Sequence, residues 1–158
     1  MKVLALKSQL ALQTRCENQI ENEINREAVR YGDVLQVAGL ERQYPLEIHR
    51  PIAPSRKYNC HGLSFASRRT WIDRTSEIRK IISDDEYQEI HFDDILPGDI
   101  AIYWSKQGDA EHSGIVVEVN SFKVPIVLSK WGPCHEVVHN VARCPYDIHK
   151  VSYYRIKT

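Results

Sequence analysis

The 158 residues suffice for one domain around one core, and 42% hydrophobic with 27% charged residues is an ordinary composition for a soluble protein. Lysine and arginine total 21 and aspartate and glutamate total 21, so no basic surplus is present to hold a nucleic-acid backbone. No run approaches the ~20 apolar residues of a membrane span, and Lys7-Ser8-Gln9 interrupt Val3-Leu4-Ala5-Leu6 before a signal-peptide core forms. These features predict a cytoplasmic protein with no nucleic-acid or membrane partner. Delivery by a secretion route without a signal peptide is the alternative.

Val3, Leu6, Leu10, Ile20, Ile24 and Ala28 recur at helical spacing between charges, which predicts a helix over 2–30. Such an N-terminal helix offers a surface to a protein partner. Tyr31-Gly32-Asp33 reads as a stop, followed by a short amphipathic stretch over 34–40. From Tyr44-Pro45 to Pro51-Ile52-Ala53-Pro54 the chain reads as extended, because each proline disfavours helix at the residue before it. Residues 1–50 are then a helical extension and linker ahead of a core at 55–158. Asn59 is a favoured N-cap and predicts a helix over 60–71, with Leu63, Phe65, Ala66 and Trp71 facing inward. Short helices are expected near 75–82 and 84–88. Arg68, Arg69, Arg74, Arg79 and Lys80 read as a solvated helix face, with a local basic patch as the alternative.

Leu96-Pro97-Gly98-Asp99 is a turn that launches a strand over 100–104. Lys106 to Glu111 reads as a loop. Strands follow over 113–119, 125–131 and 151–156, with a turn at Gly132-Pro133. Helices first and strands later predict a single α+β domain, an antiparallel sheet packed on a helix.

Cys16, Cys60, Cys134 and Cys144 read as free thiols, since no secretory signal accompanies them. Cys60 is the one placed for chemistry. At a helix start, unpaired N–H groups and the helix dipole favour the thiolate, and the same N–H groups can hold an oxyanion. The other reading of an isolated cysteine is a small buried hydrophobe. His112 begins a strand in Glu111-His112-Ser113-Gly114-Ile115-Val116, where rigid backbone presents it as a general base. Gly114 permits another backbone to approach closely.

The runs Tyr58-Asn59-Cys60-His61-Gly62, Leu96-Pro97-Gly98-Asp99-Ile100 and His112-Ser113-Gly114-Ile115-Val116, in that order, resemble the NlpC-type and CHAP branches of the papain-like cysteine peptidases. The likeness covers roughly residues 55–132, with Cys60 and His112 separated by 52 positions. It implies a papain-like sheet packed on the nucleophile helix. It also implies hydrolysis of an amide or peptide bond, often in peptidoglycan-like substrates, through a Cys60 acyl-enzyme with His112 as base and no cofactor. Tyr58 is then expected to line the cleft or donate a hydrogen bond, and Asn59 to cap the helix and offer its amide to the oxyanion. His61 is expected to point away from the machinery.

The residue that orients the histidine in that family has no standard counterpart in Val127-Leu128-Ser129-Lys130-Trp131-Gly132. Ser129 can accept from an imidazole N–H there; the Lys130 ammonium cannot. Ser129-Lys130-Trp131-Gly132 followed by Glu136 and His139 also resembles an uncharacterised bacterial group of the same superfamily. That likeness implies Ser129 and His139 as catalytic supporters and Lys130 and Trp131 as substrate-binding residues, Lys130 toward a carboxylate or phosphate. The competing readings are a solvent-facing strand residue for Lys130 and a surface helix or loop residue for His139.

Three rivals follow. Cys134, His135, His139 and Cys144 form a string of zinc-ligand types, but adjacent ligands and the lack of a Cys-x2-Cys pair argue against a metal. A non-catalytic binding module could keep the papain-like fold. An acyltransferase could use the same Cys–His pair.

Overall fold

The computed structural model describes residues 8–50 and 54–158. Its elements in chain order are α1 (Tyr31–Gln43), β1 (Ile48–His49), α2 (Cys60–Phe65), α3 (Thr75–Asp84), β2 (Tyr87–Ile90), a short 3-10 turn (Phe92–Asp94), β3 (Ile100–Trp104), β4 (Ala110–Val119), β5 (Pro125–Lys130), β6 (Glu136–Asn140) and β7 (Lys150–Ile156). The seven strands form one antiparallel sheet in the order β1-β6-β5-β4-β3-β7-β2. The α+β class and antiparallel sheet expected from sequence are present. No helix among the described residues is long and apolar enough to cross a membrane.

Alternation along β3 builds the core on both faces of the sheet. Ala101 and Tyr103 face a cluster with Val116, Val127, Trp131, Val137, Tyr153 and, from α1, Leu40. Ile100, Ile102 and Trp104 face the other way, toward Ile78 and Ile81 of α3, Ala66, Ile72 and Ile20. The turn before β3 is built as its sequence suggests. Gly98 takes a φ of 97°, and the Asp99 carboxylate accepts from Leu96 N at 2.8 Å. Asp99 also takes both prongs of Arg155 at 2.7 and 2.8 Å, which ties the start of β3 to β7.

The N-terminal helix expected over 2–30 is not formed at residues 8–30; residues 2–7 lie outside the described residues. Here the chain is extended. It makes a tight turn in which Thr14 N donates to Asn18 O, and Glu23 bridges to Trp71. Thr14 Oγ1 and Asn18 Nδ2 both donate to Asp84, and the backbone N–H of Glu21 to Glu77, so the segment is stitched onto α3. Of Leu10, Ile20, Ile24 and Ala28, only Ile20 is buried. Asn18, Asn22 and Asn25 explain the failure, because short amides compete for backbone groups and favour turns over helix. The helix expected to offer a partner surface is therefore not present at residues 8–30.

Tyr31-Gly32-Asp33, expected as a stop, instead opens α1. The Asp33 carboxylate caps the first turn by accepting from Arg30 N at 2.8 Å, and both Arg56 prongs hold it in place at 2.7 Å. α2 ends at Phe65 rather than 71, because Ser67 and Arg68 take φ values of 50° and 63°. Gly62 lets α2 lie against the returning chain: a Cβ there would overlap the Thr70 carbonyl. α3 reaches Asp84, and Glu86 at φ 59° ends the helical run, so 84–88 yields β2 instead of a helix. Ala110 and Glu111, expected in a loop, begin β4. β6 has no forerunner in the sequence reading.

Arg68, Arg69, Arg74 and Arg79 are exposed, as expected of a solvated face, and Lys80 is half-buried, but only Arg79 and Lys80 lie on a helix. Arg68 pairs with Glu136 and Arg74 with Glu21, Arg69 bonds Ala66 O, Arg79 lies over the Trp104 ring, and Lys80 bonds Glu77.

Candidate active site

Cys60 is the first residue of α2 and is 6% exposed. Asn59 caps the helix: its Oδ1 accepts from Gly62 N at 2.9 Å and from Ile72 N at 3.2 Å. Its amide nitrogen donates to Ile72 O at 2.9 Å and to Asp73 at 3.4 Å. Both amide hydrogens are thus spent on the fold, and the oxyanion role expected for Asn59 is not available in this arrangement. The first-turn amides of Cys60 and His61 have no intrahelical acceptor.

Two imidazoles bear on the Cys60 sulfur. Burial pushes the thiol up, but His61 and His112 outweigh it, and the Cys60 pKa lies well below the ordinary thiol value. His61, expected to point away, is buried against Cys60. Its Nε2 donates to Ala110 O at 2.9 Å, which leaves Nδ1 of the neutral ring to accept from Ser113 Oγ at 2.8 Å. Burial pulls the His61 pKa down, yet the adjacent thiolate raises it overall. The only sequence signal for this role is adjacency to Cys60.

His112, in β4, is fully buried. It lies near enough to stabilise the thiolate, but short of full hydrogen-bond geometry: neither ring nitrogen has a partner among the described residues. Its ring is held by aromatics. Tyr146 stacks on it at 3.8 Å and 11°, and Tyr103 meets it at 5.1 Å and 59°. Sequence reasoning missed Tyr146, which sits in the β6–β7 connection.

Ser129 and His139 come together, but as each other's partners. His139 Nδ1 donates to Asn140 O at 2.8 Å, so its Nε2 is the acceptor for Ser129 Oγ at 2.6 Å. Trp131 Nε1 donates to the same Ser129 oxygen at 3.1 Å. His139 is a fully buried β6 residue, not a surface one, and it is close enough to feel the charge of His112. Burial, set against the bond to Asn140 O, brings its pKa to about 4.

That shift predicts an acid-labile fold. The folded state keeps His139 neutral down to about pH 4, whereas an unfolded histidine takes its proton near pH 6.5, so stability is full above pH 6.5 and lost as pH falls toward 4. The loss is about 3 kcal/mol, and His135, also lowered by burial, adds in the same direction. Urea unfolding at pH 7, 5.5 and 4 measures it. His139→Gln should lower stability at pH 7 and flatten the slope.

Lys130 is neither a solvent-facing residue nor a free cation. Only 1% exposed, it donates to Gly132 O at 2.6 Å, Ser55 O at 2.7 Å and Tyr58 O at 3.3 Å. All three ammonium hydrogens are thus committed to fastening the strap that leads to Cys60, and no donor is left for a substrate anion. Burial lowers its pKa to about 8. Tyr58 donates to Glu136 Oε1 at 3.1 Å, and Arg68 binds the same carboxylate. Trp131 is 2% exposed and packs edge-on to Tyr44 and His49. Its edge reaches a cavity of about 190 Å³ shared with Gln36, Leu40, Gly132, Pro145 and Tyr146.

The zinc-type string does not converge. His135 pairs with His49 at 2.6 Å, His139 with Ser129, and Cys144 lies by Tyr103. Among the described residues, no group of three or more His, Cys, Asp or Glu side chains is placed to hold a metal ion. No family model matches the chain, and neither a curated protein nor a solved structure matches it.

Proposed function

We propose that the chain is a thiol hydrolase of the papain-like cysteine peptidase kind, acting on an amide or peptide bond. The observation that carries the reading is one buried cysteine on the first turn of a helix, with two imidazoles favouring its thiolate. The Cys60 sulfur attacks the carbonyl carbon, and the π electrons move onto oxygen beside the first-turn amides. The protonated His112 gives its proton to the leaving amine as the C–N bond breaks, which leaves a thioester. Water then attacks; His112 takes its proton, and the thiolate departs with the C–S bond's electrons. If an amine replaces water in that step, the same residues make an acyltransferase. A peptide or peptidoglycan-like amide is the substrate class this reading carries.

A non-catalytic module is favoured by one observation, the lack of a polar partner on His112 among the described residues. The pH dependence of Cys60 alkylation decides between the two. At low iodoacetamide concentration, the Cys60 rate followed by peptide mass mapping should change less than about threefold between pH 8 and 6, where an unperturbed thiol slows by roughly two orders of magnitude. A Cys60 rate that falls like an unperturbed thiol's removes the activated nucleophile and leaves the binding module.

A further inference from the structure

Cys60 and His112 are enclosed. Cys60 is 6% exposed and His112 not at all, and neither lines the nearby 190 Å³ cavity. Tyr146 lines that cavity and also stacks on the His112 ring, with centroids 3.8 Å apart and planes at 11°. One aromatic ring thus touches both the groove and the reactive pair and forms a wall between them.

The Tyr146 hydroxyl is tied to the Gly132 backbone and the Tyr146 N–H to the Cys144 sulfur, but the backbone that carries the ring is lightly held. Tyr146 belongs to the connection between β6 and β7. Val141 N donates to Pro125 O and Arg143 N to Asn140 O. Beyond Arg143, residues 144–149 make no backbone-to-backbone hydrogen bond among the described residues. Segments of that kind open at the low end of a protein's stability range. The two orphaned His112 nitrogens fit the same picture. Buried polar atoms without partners are costly, and a leaving-group nitrogen or an attacking water would supply the missing bond once the ring moves aside.

We propose that Tyr146 is the gate of the site: it positions the His112 ring in the closed form and must swing out to join the groove to Cys60. The inference rests on the thiol-hydrolase reading of this pair. It also narrows the substrate. The lining of Gln36, Leu40, Trp131, Gly132, Pro145 and Tyr146 mixes polar and apolar surface and carries no charged side chain, so the acyl side chain that enters is small and uncharged.

Alkylation of Cys60 by two reagents of different bulk tests the gate on the 158-residue chain. Both reagents consume the same thiolate, so their rate ratio reports access and is independent of thiolate fraction; the pH profile reports activation and can fail separately. In the wild type, iodoacetamide should outpace a bulky N-aryl iodoacetamide by more than tenfold. Tyr146→Ala should speed the bulky reagent at least tenfold and collapse the ratio, while Tyr146→Phe, which keeps the ring, should preserve it. An unchanged ratio in Tyr146→Ala overturns the gate, as does a Phe variant that behaves like the Ala one. Should Tyr146→Ala not fold, wild-type hydrogen exchange serves instead. Amides of 144–149 should exchange far faster than those of β4 and β5, and exchange only through global unfolding overturns the proposal.

Discussion

Cys60→Ala is expected to lose turnover by about 10⁴-fold or more while keeping its fold. The magnitude follows from the chemistry, since no other thiol replaces it: Cys134 and Cys144 are buried with pKa values raised by burial, and Cys16 sits at the surface, its sulfur on Asp84 O. The fold should survive because only one small sulfur leaves a site already framed by backbone. The Asn59 cap, the Gly62 contact with Thr70 and the Lys130 strut do not involve Sγ. Removing that atom costs about 1 kcal/mol. Turnover of peptide amides and peptidoglycan fragments, alongside a thermal melt, separates the two effects. A variant that melts like the wild type and still turns over moves the reaction to another site.

Arg68→Ala is expected to cost about 1–2 kcal/mol of stability and to lower the melting temperature by roughly 2–8 °C, less than a fully buried pair because the Arg68 side chain is 45% exposed. Glu136 is 1% exposed and takes its charge compensation from Arg68, with the Tyr58 hydroxyl as its second donor. Without the guanidinium, the buried carboxylate keeps the Tyr58 hydroxyl as donor and the nearby Lys130 ammonium. The damage reaches the site, because Tyr58 lies two residues before Cys60. Thermal and urea unfolding measure the loss, and Arg68→Lys should recover part of it by restoring charge without the two-pronged geometry. A loss below about 0.5 kcal/mol, the range of an exposed pair, would place Glu136 in contact with water.

Local rules made part of the molecule legible. Asn59 before an apolar run marks a helix start, Pro97-Gly98-Asp99 a turn into a strand, and β-branched runs the strands β3, β4, β5 and β7. Each depends on a few adjacent residues. The same locality failed at residues 8–30. Helical spacing of apolar residues was present, but pairing with Asp84, Glu77 and Trp71 made an extended path better satisfied. It failed again at β6, whose strand character comes from pairing with β5 rather than from its own residues.

At the site, local residues sufficed for the seat of Cys60 at a helix start, because a helix cap and the residue after it are a local event. The sequence also named His112, Ser129 and His139 as residues to watch. Only the tertiary structure decided their company. His61 reaches the thiol because α2 packs on β4 with Ser113 and Ala110 as its anchors. Ser129 and His139 satisfy each other because β5 and β6 pair in register. Lys130 turns inward because three carbonyls await it. Tyr146 covers His112 from 34 positions away, through a loop whose path no local pattern encodes. Burial and long-range pairing are properties of the assembled sheet, so no short stretch of residues could announce them.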